Sequence, residues 1–186
     1  MHPAPSTLLT PDDRYAFARA ARLREIGIGE APVQEFDDFA HRLALTLGAR
    51  YAMVNFIDDN RQYFAGLYSP TAGQMVQLAP QQDQMDRVMA RDHGYCPHVV
   101  VRRKALILED VCDYPRFAGN PVVDELGIRS YAGAPLLDRK TGMALGTICV
   151  VDTDVQPWGR QGLQTIKAMA QQMADRVHHI ESGLQH

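Results

Sequence analysis

One continuous stretch, from Gly94 to Asp152, constrains the fold of this chain more than any other part. Its first half is rich in loop-forming residues and carries His, Cys and aromatic side chains. Its second half contains two apolar segments, Ser130 to Leu137 and Met143 to Val151, and the polar turn at 138–142 joins them as a hairpin. Because concave sites form where varied side chains meet a rigid scaffold, we expect a ligand pocket here.

Two helices are expected before the first strand. The first starts with Thr10 as its cap and Pro11 at the first helical position, and it ends near Glu25 before two glycines. The second starts near Pro32, and Gly48 ends it. Apolar residues recur along this second helix at helical spacing, so one of its faces is expected to pack against the core.

A second hairpin precedes the Gly94 to Asp152 stretch. Tyr51 to Ile57 is rich in β-forming residues, Gln62 to Tyr68 returns beside it, and residues 58–60 have turn composition. The remaining predicted elements are a loop over Ser69–Gln77, a helix over Gln82–Arg91, strands near Gly94–Cys96 and Ala105–Leu108, and a helix over Pro121–Leu126. This pattern indicates an α+β domain with a central antiparallel sheet, N- and C-terminal helices on one face and a loop and short-helix pocket on the other.

Length and charge set further limits. The 186 residues and 46% hydrophobic content fit one domain, with 1–30 as an N-terminal lead and helix and 31–186 as the domain with its C-terminal helix. A net charge of -3, from 19 basic and 22 acidic side chains, gives no general attraction to nucleic acid. We therefore expect no nucleic-acid partner, and we interpret the short basic run at 102–104 as a solvated turn.

The sequence shows no sign of membrane insertion or secretion. Its longest apolar runs, such as ALGTICVV, are much shorter than a membrane span, and the N-terminus lacks a basic start followed by an apolar run. A cytoplasmic location without a membrane partner is expected. The cysteines Cys96, Cys112 and Cys149 are odd in number and have no metal-like spacing, so they are predicted to be free thiols.

The final helix, from about Arg160 to Leu184, has the clearest periodicity in the chain. Its apolar residues step alternately by three and four: Leu163, Ile166, Ala170, Met173, Val177, Ile180 and Leu184. Such a heptad seam fits a helix packed on its own sheet, or one that also pairs with a second copy of the chain. Because the seam continues beyond the expected width of one sheet, it favours a homodimer through the terminal helices.

Several side chains of the long stretch could contact a ligand. His98 could bind a metal or haem or hydrogen-bond a ligand, but a closed metal site needs three or four ligands and no suitably spaced partner accompanies it. Cys96 could be a reactive thiol or a small buried hydrophobe. Tyr114, Phe117 and Asn120 could stack on a planar ligand and bond its edges, although Phe117 could equally fill a turn. No cofactor is identified.

Other candidates lie on the predicted strands. Asn55 is a polar residue within the apolar strand AMVNFI, and a buried amide must find a partner. Arg129 could bond an anionic ligand or pair with Asp110 or Asp124, and Gly133 admits close approach by a ligand or another backbone. The predicted ligand contacts are Asn55, Met85, Met89, Tyr95, Cys96, His98, Tyr114, Phe117, Asn120, Arg129 and Tyr131.

Five ordered segments resemble the GAF domain family, the small-molecule sensory modules of signalling proteins. They are Tyr95–His98, Leu106–Val111, Asp113–Val123, Ile128–Leu136 and Leu145–Asp152. With the upstream strands and the last helix, the resemblance covers most of the chain. It implies a GAF-like fold, a small-molecule ligand and a dimer through terminal helices, but it does not identify the ligand.

The chain departs from three specialised groups of GAF relatives. Free methionine sulfoxide reductases use several cysteines, and Cys96 falls where their active thiol is expected, but the upstream cysteines are missing. Only Cys112 or Cys149 could then resolve the oxidised thiol. Bilin-binding phytochromes resemble Cys followed directly by His, whereas a proline separates the two here. The cyclic-nucleotide pattern is also broken, because proline and not lysine follows Asn120.

These observations favour a non-enzymatic sensory module. A small ligand would shift the loops over the pocket and thereby alter the pairing of the terminal helices, and a protein partner in a signalling pathway would read that change. Two alternatives remain open. One is a thiol enzyme of the free methionine sulfoxide reductase type, and the other is an interaction module whose pocket is filled by its own side chains.

Overall fold

The sheet at the centre of the molecule has the predicted antiparallel form. The computed structural model describes residues 11–70 and 87–184. The strands in these ranges are β1 (Tyr51–Ile57), β2 (Arg61–Tyr68), β3 (Val88–Ala90), β4 (Leu106–Leu108), β5 (Ser130–Leu137) and β6 (Ala144–Asp152). They form one sheet in the order β3-β2-β1-β6-β5-β4, and every neighbouring pair is antiparallel. The two predicted hairpins, β1–β2 and β5–β6, are confirmed.

Helices of two kinds surround this sheet, three of them long and three short. They are α1 (Ala16–Ile26), α2 (Gln34–Leu47), α3 (Cys96–Arg102), α4 (Pro115–Ala118), α5 (Pro121–Leu126) and α6 (Gly159–Leu184), with a 3-10 turn at Val111–Asp113. The predictions of α2, α5 and α6 agree with these bounds to within two residues. Within the described ranges, no helix combines the length and apolar character that a bilayer crossing requires.

The first face of the sheet carries the main hydrophobic core. Alternate residues of β1 point towards the long helices α1, α2 and α6, and the predicted apolar face of α2 is buried against them. Phe36 and Leu43 of α2 are completely buried. Burial of a side chain of this size contributes roughly 1.5–3 kcal/mol. Helices therefore cover this face of the sheet, so a ligand site is to be sought on the opposite face.

The heptad seam of α6 packs on this same sheet. Ile166, Ala170, Met173 and Val177 are buried in the main core, and Ile180 packs against its edge. These residues of the seam are therefore covered by the sheet of their own chain. The exposed side of α6 carries mainly polar residues. The spacing that favoured a homodimer is explained by packing within the chain, so the homodimer stays a prediction without support from the seam.

The first helix begins later than the sequence predicts. Thr10 lies outside the described residues, and α1 starts at Ala16 and not at Pro11. Asp13 accounts for the difference, because its carboxylate accepts a hydrogen bond from the Tyr15 backbone N–H and pairs with Arg19 at 2.7 Å. The acidic residue thus stabilises a turn before the helix instead of serving in the first helical turn.

Two predicted elements between the hairpins are wrong. The predicted helix over Gln82–Arg91 is wrong at residues 88–90, which form β3 and pair with Arg61–Tyr63 of β2. Its earlier part, residues 82–86, lies outside the described residues. So do residues 71–77 of the predicted loop. Gly94–Cys96 is not a strand either. Cys96 opens α3, where Pro97 fixes a backbone angle suited to the first turn of a helix.

A buried ion-pair network joins both terminal helices to the β5–β6 turn. The guanidinium group of Arg22 in α1 donates to Asp138 at 2.8 Å and to Glu181 of α6 at 2.7 Å. Lys140 and Thr141 donate to the same two carboxylates. Burial raises the pKa of Asp138, but the bonds from Arg22 and Thr141 outweigh it, so the pKa lies below its ordinary value. The bond from Arg22 also lowers the pKa of Glu181.

Replacing Arg22 with methionine is expected to lower the free energy of unfolding at pH 7 by on the order of 3 kcal/mol, because two buried carboxylates lose their main partner. Chemical denaturation measures this loss. Arg24→Met is the matched control, since Arg24 is an exposed residue of the same helix.

The loss should depend on pH in one direction. Carboxyl groups with pKa values lowered by folding stabilise the native state above about pH 4.5, and this contribution disappears as the pH falls through the lowered folded values. The difference between wild type and Arg22→Met should therefore shrink from pH 7 to pH 3. A difference that stays constant over this range, or an equal loss in Arg24→Met, would contradict the network's role.

Candidate functional site: a thiol cluster under helix α3

The second face of the sheet is covered by α3 and by the segment that follows β4. Alternate residues of β1, β5 and β6 point towards this face, opposite to those that contact the long helices. Most are apolar, but Asn55 of β1 and Thr147 of β6 are polar and lie directly opposite each other in the strand pairing. Both are completely buried. Because buried polar side chains need hydrogen-bond partners, the surroundings of these two residues define the candidate site.

The Cys96 sulfur lies at the centre of this polar group. It is 3.2 Å from the Tyr131 hydroxyl, 3.1 Å from the Thr147 hydroxyl and 3.6 Å from the Cys149 sulfur. We call Asn55, Cys96, Tyr131, Thr147 and Cys149 the thiol cluster. Because Cys96 is the first residue of α3, the helix holds its thiol over β6 and β5, which provide three of the other members.

The cluster makes its two thiols unequal. Burial alone raises the pKa of Cys96, but hydrogen bonds from Cys149, Thr147, Tyr131 and Asn55 outweigh it and lower the pKa to about 7. The pKa of Cys149 rises well above its ordinary value, because its thiol proton is held in the bond to Cys96 and because it is buried. Burial likewise raises the pKa of Tyr131, so its hydroxyl stays protonated and donates. Negative charge is therefore favoured on Cys96.

Gly133 makes room for the Tyr131 hydroxyl. The two residues lie on the same face of β5, and a Cβ atom at Gly133 would stand 2.1 Å from the Tyr131 oxygen. The close approach that the sequence predicted at this glycine is thus made by the protein's own tyrosine ring. A side chain at Gly133 would displace the ring and with it the hydroxyl that contacts Cys96.

Asn55 is bonded on one side only. Its amide nitrogen donates to the Gln62 side chain at 2.8 Å, and Gln62 in turn donates to the carbonyl oxygens of Ala90 and His93. The Asn55 oxygen accepts no hydrogen bond in the structure, although the residue is fully buried. Such an unpaired acceptor costs about 1–3 kcal/mol, so a donor supplied by a ligand or a water would be stabilising here.

Aromatic rings line the side of the cluster next to α4. The Tyr95 ring meets the Phe117 and Tyr131 rings edge-on, at centroid distances of 5.5 and 5.4 Å, and its hydroxyl donates to the Phe117 carbonyl. The His98 ring also meets Phe117 edge-on at 5.0 Å. Tyr114 is partly exposed and lies at the edge of this group. The structure thus brings four of the predicted contacts next to the cluster.

The other predicted contacts have structural partners of their own. The Asn120 side chain exchanges two hydrogen bonds of 2.9 Å with the Gly94 backbone and accepts one from Val122, so it fastens the start of α5 to the approach of α3. Arg129 pairs with Asp110 at 2.9 Å, which is one of the two partners considered from the sequence.

The two predicted methionine contacts differ in what can be said of them. Met89 lies on β3, and its sulfur would stand 3.6 Å from a Cβ atom placed at Gly94. Met85 lies outside the described residues. Ligand contact by the predicted residues stays a prediction.

Sequence reasoning missed Gln62 and Thr147. Cys149, one of the two resolving thiols considered from the sequence, is completely buried, and its sulfur faces Cys96. Cys112, the other resolving thiol considered from the sequence, is exposed on the 3-10 turn. The signal for the cluster was alternation: Thr147 and Cys149 are two apart in a strand and must share a face.

Two further observations concern metal ligands and other clefts. Within residues 11–70 and 87–184, no three His, Cys, Asp or Glu side chains are grouped so as to hold a metal ion. A separate cleft of about 310 Å³ opens between the start of α1, the end of α3 and the β5–β6 turn. It is lined by other residues, among them Arg14, Arg103 and Thr141, and by none of the thiol cluster.

Comparison with known proteins identifies the family. A model of the GAF domain matches residues 32–177, so the chain belongs to the GAF domain family. This is a family of sensory and signalling domains, which confirms the resemblance read from the sequence and the α+β fold that it implied. No curated protein matches the sequence.

Solved structures of GAF domains are similar in fold. The GAF domain of a phosphoenolpyruvate-protein phosphotransferase from Coxiella burnetii is 15% identical, with a TM-score of 0.61 over 91% of this chain and 96% of that one. Free methionine-R-sulfoxide reductase from Neisseria meningitidis, solved with its substrate, is 13% identical, with a TM-score of 0.58 over 94% and 96%. At these identities the likeness shows the fold alone.

The lowered pKa of Cys96 should depend on the Tyr131 hydroxyl. Tyr131→Phe removes one donor to the thiolate and is expected to raise the Cys96 pKa by roughly one pH unit. The cysteine ¹³Cβ chemical shift, followed against pH in labelled protein, measures this. Tyr114→Phe is the control, because Tyr114 is the exposed tyrosine of the neighbouring segment. Equal titration of Cys96 in wild type and Tyr131→Phe would refute the assigned donor.

Proposed function

We propose that this chain is a sensory module that binds a small molecule on the second face of its sheet, beside the thiol cluster. The observation that carries the proposal is the unpaired oxygen of Asn55, which is fully buried at the centre of that face. Buried polar atoms in native proteins almost always have a partner, and an exception calls for a missing one. A ligand that donates an N–H or O–H group to this oxygen would supply it.

The surrounding side chains define the chemical class of ligand. Tyr95 and Phe117 present aromatic edges and faces, and the Tyr131 and Thr147 hydroxyls can donate or accept. A compact, largely uncharged molecule with a donor group and a planar or apolar part suits this environment. Because α3 packs closely on the sheet, α3 and the segment around Phe117 have to move for such a ligand to enter.

A route from this site to the terminal helices runs through the β5–β6 hairpin. Strands β5 and β6 contribute Tyr131, Thr147 and Cys149 to the cluster, and the turn between the same strands carries Asp138. Asp138 is bonded to Arg22 of α1, which is bonded to Glu181 of α6. A ligand that displaces the hairpin would therefore act on an ion-pair network that holds both terminal helices, and a protein partner would read their position.

The homodimer belongs to this proposal, with α1 as its contact. The aromatic ring of Phe17 in α1 is 78% exposed, and neighbouring Tyr15 is 55% exposed. Large exposed aromatic side chains are enriched where proteins associate.

The thiol-enzyme alternative stays a hypothesis. The short distance between the sulfurs of Cys96 and Cys149 favours it. The likeness to reductases, however, is a likeness of fold only.

Protein purified from its own host should retain a small molecule. Native mass spectrometry is expected to show an added mass on the wild-type chain and much less on Asn55→Ala, whose acceptor is gone. Asn60→Ala, in the exposed turn after β1, should retain the ligand like wild type. Bare polypeptide mass in all three proteins, together with no thermal shift from a metabolite library, would contradict ligand binding.

Light scattering should give a mass near twice the 20.7 kDa of one chain. Phe17→Ser is expected to raise the dissociation constant of the dimer at least several-fold, because a buried aromatic contact is lost from the interface. Leu45→Ser, which alters a similarly exposed apolar residue on α2, should leave the mass unchanged. A monomeric wild type at all concentrations would exclude the dimer but would not affect the ligand proposal.

A further inference from the structure

Two cysteines that are 53 residues apart in the sequence meet in the thiol cluster. Cys96 opens α3 and Cys149 lies in β6, yet their sulfurs are 3.6 Å apart. A disulfide bond is about 2.05 Å long, so the sulfurs need to approach by only about 1.5 Å. Rotation of two short side chains can provide a movement of this size. The remaining cysteine, Cys112, is exposed and lies outside the cluster.

The contacts around the pair prepare the two sulfurs for different roles. The hydroxyl oxygens of Thr147 and Tyr131 and the sulfur of Cys149 all lie within 3.1 to 3.6 Å of the Cys96 sulfur. Each can donate to a Cys96 thiolate, which is the form of a thiol that attacks peroxides. Cys149 keeps its proton and stands beside Cys96, where a resolving thiol is required.

We propose that Cys96 and Cys149 form a reversible disulfide when the protein meets a hydroperoxide. The Cys96 thiolate attacks the terminal oxygen of the hydroperoxide, and the O–O bond breaks. The leaving alkoxide or hydroxide takes up from solvent the proton that Cys96 released on ionising, so an alcohol or water departs. Cys96 becomes a sulfenic acid. The Cys149 sulfur then attacks the Cys96 sulfur, the S–S bond forms, and the hydroxyl group leaves as water with the Cys149 proton. Two thiols lose two electrons in total, and one hydroperoxide gains them.

The disulfide would change the structure at the site. It would bind the first turn of α3 covalently to β6, the strand at the centre of the sheet. It would also remove the thiolate that the Tyr131 and Thr147 hydroxyls contact, and both would have to find other partners. The inference is independent of the proposed ligand, because it requires neither a bound molecule nor turnover.

Access favours a small oxidant. Cys96 is 5% exposed and Cys149 is completely buried, so the oxidant has to pass the start of α3. Hydrogen peroxide is close to water in size, whereas cumene hydroperoxide carries an aromatic group. Oxidation by hydrogen peroxide should therefore be faster by about tenfold or more than oxidation by cumene hydroperoxide.

Thiol counting on the whole chain tests the proposal. The reduced protein should bind three equivalents of N-ethylmaleimide after denaturation, the protein treated with hydrogen peroxide should bind one, and dithiothreitol should restore three. Peptide mapping of the oxidised wild type should show the peptides of Cys96 and Cys149 joined, a result that needs no variant. Three remaining thiols, or a Cys112-linked peptide as the main product, would overturn the proposal.

Variants assign the two roles. Cys149→Ser should stop at the sulfenic acid, which dimedone labels on Cys96, whereas Cys96→Ser should form neither product. Cys112→Ser should keep the disulfide of wild type and is the matched control. If dimedone labelled Cys149 in Cys96→Ser as fast as it labels Cys96 in Cys149→Ser, the two roles would have to be reversed, with Cys149 as the thiol that attacks the peroxide. Ligand retention, measured separately in reducing buffer, distinguishes a failure here from a failure of the proposed function.

Discussion

The pairing of β1 with β6 at the centre of the sheet is the constraint on which the rest of the structure depends. It sets Asn55 opposite Thr147 and Met53 opposite Cys149. Because successive residues of a strand point to opposite faces, a shift of one residue would turn Thr147 and Cys149 towards the long helices. Gly146 helps to fix this register, since a Cβ atom there would stand 1.9 Å from the Asn55 carbonyl oxygen.

The two faces of this sheet carry different kinds of interaction. One face is apolar, is covered by α1, α2 and α6, and provides the stability of a conventional core. The other face combines an aromatic and aliphatic cluster with buried hydroxyl, amide and thiol groups. Polar groups in such a place contribute little net stability and cost free energy when a partner is lost, so function explains their presence here better than folding does.

The sequence was most informative where one periodicity ran over many residues. The alternation in β5 and β6 and the seam of α6 predicted these elements to within one residue. The seam could not show what it packs against, because a helix on its own sheet and a helix in a dimer require the same spacing. β3 was missed because three residues carry no period, and an edge strand this short is defined by its pairing with β2.

Three of the five members of the thiol cluster were predictable from the sequence, but the geometry of the site was not. Asn55, Cys96 and Tyr131 were identified from the sequence, since each is a chemically distinctive residue in an apolar or loop segment. Their meeting with Thr147 and Cys149 depends on α3 beginning at Cys96, where the sequence pattern predicted a strand. Contacts across more than 50 residues follow from tertiary packing, which local patterns do not contain.

The most direct test of this account is the position of two sulfur atoms. A crystal of the reduced protein, measured at long wavelength, would show the sulfurs of its three cysteines and eight methionines in the anomalous difference map, and the positions of α3 and β6 assign those of Cys96 and Cys149. The account predicts two peaks about 3.6 Å apart, between α3 and the second face of the sheet. A Cys149 peak on the face that α6 covers would contradict the account. So would two sulfurs too far apart for contact, with another side chain between them.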